Sequence, residues 1–83
     1  MVKVLIADSN LDEVTSYSQY LSNYDNTLEA IGSNTGIDTL SKYNEMKADI
    51  LILNSGFKDI KSTEIVDRLS NTVYERNNNN RSY

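Results

Sequence analysis

Two uninterrupted apolar runs mark the chain, Val4-Leu5-Ile6-Ala7 and Ile50-Leu51-Ile52-Leu53. Successive residues of an extended backbone point to opposite faces, so each run predicts a strand buried on both sides, as parallel sheets require. Between them, Thr27-Leu28-Glu29-Ala30-Ile31 alternates polar and apolar and ends at Gly32. That alternation predicts a half-wetted strand at a sheet edge. Helical spacing fills the intervals. Leu11, Val14, Tyr17 and Leu21 recur at steps of three and four, with Asp12, Glu13, Ser16 and Gln19 largely opposite. The pattern predicts an amphipathic helix over 11–22, capped by Asn10 with Glu13 three residues on. A second helix carries Ile37, Leu40, Tyr43 and Met46, with Ser33, Asn34 or Thr35 as its cap. A third begins near Ser62, turns Ile65, Val66, Leu69 and Val73 inward, and frays before Asn77-Asn78-Asn79-Asn80, which has nothing to bury. Such β-α-β-α-β-α alternation predicts an α/β chain whose parallel sheet is joined by right-handed crossovers. The domain is expected over 1–76 and a polar, disordered tail over 77–83.

Composition narrows the chemistry. The 83 residues hold no cysteine and no histidine, which removes disulfides, thiol nucleophiles, Cys/His zinc sites and histidine acid–base catalysis together. A chain of this length makes one small domain with a net stability of only a few kcal/mol. No apolar run approaches the ~20 residues of a membrane span, and no secretory start is present, so a cytoplasmic protein is expected. Twelve acids against eight bases give a net charge of −4. With no Lys/Arg patch, direct nucleic-acid binding is not expected, nor is a membrane partner.

Open parallel sheets bind ligands beyond the carboxyl ends of their strands, where the strand order reverses. For an order of 2-1-3 that point lies between the first and third strands, whose ends carry Asp8, Ser9 and Asn54. Asp8-Ser9-Asn10 stands where a dinucleotide or flavin site would need a glycine-rich loop, so neither cofactor is expected. The same residues also have a plain structural reading. Asp8 can organise its loop by hydrogen bonding, Ser9 and Asn10 can serve as turn and cap, and Asn54 can bond within its own loop. Tyr17, Tyr20 and Tyr24 sit at helical spacing suited to packing, and Lys58 and Lys61 read as solvated charges.

At these strand ends the chain resembles the receiver domains of response regulators. Val4-Leu5-Ile6-Ala7-Asp8-Ser9-Asn10 is similar to their first strand and acidic corner, and Ala48-Asp49-Ile50-Leu51-Ile52-Leu53-Asn54 to their third strand. Glu29-Ala30-Ile31-Gly32, Thr35-Gly36-Ile37-Asp38-Thr39-Leu40 and Ile65-Val66-Asp67-Arg68-Leu69 fall where that family has its second strand, second helix and third helix. The wording is closest to sporulation-type phosphorelay receivers, and the likeness covers about residues 2–70. It implies a partial flavodoxin-like (CheY-like) fold with a three-stranded parallel sheet of order 2-1-3.

The departures matter as much as the likeness. Receivers hold Mg²⁺ with two acids after the first strand and an acceptor aspartate after the third, because phosphoryl transfer needs an anionic oxygen and a cation to neutralise charge. The matching positions here are Asp8, Ser9 and Asn54. An amide cannot form an acyl phosphate, so Asn54 is expected to be a vestigial acceptor position and Asp8 with Ser9 a vestigial acidic corner. Asp8 alone would hold a metal weakly at most, so no cofactor is expected. The family's Met-Pro and Asp-Gly correspond to Phe57-Lys58 and Lys61-Ser62, and the family's fourth and fifth strands have no counterpart here. The expected function is therefore a non-catalytic, non-phosphorylatable signalling or interaction module. Alternatives are a fragment of a phospho-accepting regulator or a functionless gene remnant. The apolar third strand would leave an open edge at Ile50, Leu51, Ile52 and Leu53, and such edges recruit other chains. A homodimer is expected, or a complex with a receiver or phosphotransfer protein.

Overall fold

The computed structural model describes residues 1–54 and 56–77, with side chains through residue 70. The elements run β1 (Val2–Ala7), α1 (Leu11–Tyr24), β2 (Leu28–Ser33), α2 (Gly36–Met46), β3 (Ile50–Leu53) and α3 (Ser62–Asn77). All strands are parallel, in the order β2-β1-β3. This is a partial flavodoxin-like α/β fold. The expected tail over 77–83 lies, past Asn77, outside the described residues, as does the inward placement of Val73.

Register decides what each face of the sheet sees. Leu5 lies beside Ile31 and Leu51, while Ile6 lies beside Gly32 and Ile52. Odd-numbered strand residues face α2 and α3, where Leu5, Tyr43, Ala48, Ile65 and Leu69 form the buried core and Leu51 and Leu53 pack against it. Even-numbered residues face α1, whose Val14 is buried against Gly32. At Gly32 a Cβ would overlap Val14 Cγ1, so β2 and α1 approach only because this residue has no side chain. β2 runs through Gly32 to Ser33, two residues beyond the end that the alternation predicts, because Ile6 and Ala7 of β1 pair with them.

The helix stripes also differ from expectation. Leu11 and Tyr17 are exposed, and Ser18 rather than Tyr17 joins Val14 and Leu21 on the inner side of α1. The cause is Gly32, which draws the helix down at Val14 and places the Ser18 hydroxyl against β2. In α2, Ile37 is exposed while Thr39 is fully buried. Thr39 donates to the Thr35 carbonyl (2.7 Å) and shares a buried hydroxyl contact with Ser33 (2.7 Å), so its polar group is satisfied inside. Val66 of α3 is likewise exposed.

Caps set the helix starts. Asn10 accepts from the amides of Asp12 (2.9 Å) and Glu13 (3.3 Å), and Thr35 accepts from Asp38 (3.0 Å). α2 ends on Lys47, a left-handed non-glycine residue at φ 54°. Among the described residues no helix is long and apolar enough to cross a membrane.

Candidate functional site

β1 and β3 end side by side, which brings together the two positions singled out from the sequence. Asp8 is buried at the carboxyl end of β1, and its amide donates to the Ser33 carbonyl (3.1 Å). One carboxylate oxygen accepts from the Asn10 amide (3.0 Å) and the other from Asn54 Nδ2 (2.8 Å). The Asn54 backbone amide in turn donates to the Ala7 carbonyl (2.8 Å), and the Asn54 carbonyl accepts from the Ser62 hydroxyl (3.2 Å) at the start of α3. Asn54 thus bridges β1, β3 and α3 while its amide compensates a buried carboxylate. Such charge-assisted bonds are short and roughly twice as strong as neutral ones.

Ser9 is exposed and lies apart from that pair, on an open cleft of about 390 Å³ with Asn34, Thr35, Gly56, Lys58 and Asp59. Gly56 takes φ +102°, a backbone state that L side chains rarely adopt, and this turn brings it close to the Ser9 hydroxyl. The cleft occupies the carboxyl end of the strands, where this fold class places ligands.

Asp59 is the residue that sequence reasoning missed. Its carboxylate accepts from the amides of Gly36 (2.9 Å), Ile37 (2.8 Å) and Ile60 (3.0 Å). The Ile37 amide first, then that of Gly36, holds its pKa below the usual aspartate value against the opposing effect of desolvation. The exposed amides at a helix N-terminus form a ready anion site, and here an anion of the chain itself fills it. No local signal announces this cap, because donor and acceptor stand 22 and 23 residues apart.

The donor set does not fit Mg²⁺. Both oxygens of Asp8 are engaged, its neighbours Ser9 and Asn54 are neutral, and hard cations that dehydrate reluctantly need more anionic oxygen than this. Among the described residues no three acidic side chains converge. As for Ile50, Leu51, Ile52 and Leu53, β3 is an outer strand and its side chains divide: Leu51 and Leu53 turn to the core, Ile50 and Ile52 to the exposed face.

No family model matches the chain, and no curated protein does either. Among solved structures it superposes on the N-terminal domain of an uncharacterized protein from Wolinella succinogenes, with a TM-score of 0.78 and 19% identity. The likeness is one of fold. It covers 87% of this chain, which spans 56% of the other.

Proposed function

We propose that the chain is a receiver-like signalling module that binds protein partners without being phosphorylated, related to the response regulators of two-component phosphorelays. The observation that carries this reading is the 2.8 Å bond from Asn54 Nδ2 to Asp8. At the position that matches the phosphoacceptor stands a neutral donor, already committed to the one buried carboxylate of the corner. No nucleophilic carboxylate stands there, and the α2 amides that could meet a phosphate are taken by Asp59. With no phosphoryl group to favour one state over another, the corner holds a single arrangement, since a ligand shifts an equilibrium only by its differential affinity. A sporulation-type role rests on the resemblance of the strand-end motifs.

The test is incubation with acetyl phosphate and Mg²⁺ followed by intact-mass measurement. The expected result is an unchanged mass, with Asn54→Asp run in parallel to report whether an acid at this position is sufficient. Gain of one phosphoryl group by the unaltered chain would overturn the reading.

A further inference from the structure

Among the described residues, the sheet face on the α1 side is covered over two strands and exposed over the third. Ile52 shares that face with Ile6 and Gly32, the residue against which Val14 of α1 packs. A helix is about 10 Å across and strands lie about 4.8 Å apart, so one helix shields two strands. β3 is the third, and Ile50 and Ile52 are 47% and 44% exposed. Val2, on the same face, is 38% exposed.

A wall of aromatic rings borders this floor. At about 100° per residue, Tyr17, Tyr20 and Tyr24 all fall on one flank of α1 and Ser18 on the other, when Val14 points at the sheet. Ser18 lies against Gly32 of β2, and a right-handed β1–α1–β2 crossover then puts β3 below the tyrosine flank. The three rings are 50%, 64% and 74% exposed, and those of Tyr20 and Tyr24 stack at 6.1 Å. Floor and wall together offer on the order of 600 Å² of exposed side chain, the upper end of what a monomer normally leaves bare. A stable dimer buries about 800 Å² per partner.

We infer that this step-shaped surface is the interface for a second copy of the chain, related by a two-fold axis. A raised helix beside a bare floor is complementary to itself: the tyrosine flank of one protomer seats on the partner's β3 floor, and the reverse contact forms at once. The inference rests on reading the chain as a binding module, and it names the partner. Each copy carries a net charge of −4, so the association tightens as salt screens the repulsion between copies.

Light scattering on the eluting 83-residue chain, at about 10 to 200 μM, is expected to give a dimer mass that persists at high salt. Ile52→Glu on the floor and Tyr20→Ala on the wall should each weaken association at least about tenfold, a typical loss for interface hot spots. Far-UV circular dichroism checks that both variants stay folded. Ile37→Glu, at an equally exposed apolar position on α2, should leave the dimer intact. Because the chain has no cysteine, mixing Ile52→Cys with Tyr20→Cys and adding oxidised glutathione as the two-electron oxidant should give a cross-protomer disulfide. A monomer across the range overturns the inference, as does equal weakening by Ile37→Glu. Adding acetyl phosphate and Mg²⁺ separates the two conclusions: a phosphorylated dimer refutes the reading of the corner alone, and an unphosphorylated monomer refutes the interface alone.

Discussion

Replacing Asn54 with aspartate turns the donor of the 2.8 Å bond to Asp8 into a second acceptor. Two losses follow. The buried Asp8 carboxylate forfeits one of its two donors, and a hydrogen bond to a charged group contributes about 1.5–3 kcal/mol. Like charges at this distance would also repel by about 6 kcal/mol at an effective dielectric of 20 in a frozen geometry. Residue 54 is exposed, however, so the new carboxylate can swing into water and shed most of that repulsion. The net cost at pH 7 should be about 2–3 kcal/mol, a large fraction of the stability of so small a domain. Asn54→Ala loses the donor without adding charge and should cost about 1.5–2 kcal/mol, with a smaller dependence on pH.

The size of the pH effect separates the two variants. In Asn54→Asp the carboxyl pair keeps a proton to higher pH when folded than when unfolded, because the shared proton bridges the two groups. A group with a raised folded value contributes stability at low pH and loses it as pH rises through that value. Urea unfolding should therefore show Asn54→Asp recovering towards the unaltered chain between pH 7 and pH 4, and recovering more than Asn54→Ala does. About 10 mM Mg²⁺ should return about 1.4 kcal/mol to Asn54→Asp if the pair binds it at about 1 mM, and nothing to the unaltered chain. Equal stability of Asn54→Asp and the unaltered chain at pH 7 without Mg²⁺ would refute the reasoning.

Gly32→Ala should destabilise the fold by about 1–3 kcal/mol, because its Cβ meets Val14 Cγ1, and Val14→Ala in the same chain should restore part of the loss in a double-mutant cycle. Ser18→Ala should stabilise by about 1 kcal/mol in thermal unfolding, since it removes a buried hydroxyl that has no partner among the described residues and improves helix propensity. Asp59 has a depressed folded value, so its contribution is present above the ordinary carboxylate range and lost as pH falls through the folded value, below about pH 4. The amide resonances of Gly36 and Ile37 should titrate together with a midpoint below that of ordinary aspartate, and Asp59→Asn should abolish the step; a midpoint at or above the ordinary value contradicts the cap.

Much of the architecture was legible because it depends on local periodicity. Four successive apolar residues in β1 admit few arrangements other than a strand covered on both sides, and Val4 to Ala7 are indeed buried. Asn10 and Thr35 announced their helices because a cap bonds within three residues of itself. The pairing of Asp8 with residue 54 was reachable too, since parallel strands joined by right-handed crossovers bring their carboxyl ends to one side.

What escaped the sequence were the contacts made between distant segments. Nothing near Asp59 signals that its carboxylate caps α2, because the Gly36 and Ile37 amides stand in the first turn of that helix, more than twenty residues earlier. The inner side of α1 was misread for the same reason: hydrophobicity favoured Tyr17, but the missing side chain of Gly32 rotates Ser18 inward and leaves the tyrosines outside. Likewise Ile50, Leu51, Ile52 and Leu53 form one apolar word, and only the sheet order and the helix positions divide them between core and surface. Propensity, periodicity and capping act over a few residues, so they dictate which elements form and in what order. Which faces are covered and which charges are satisfied depends instead on shape and distance between elements that the chain brings together only when it folds.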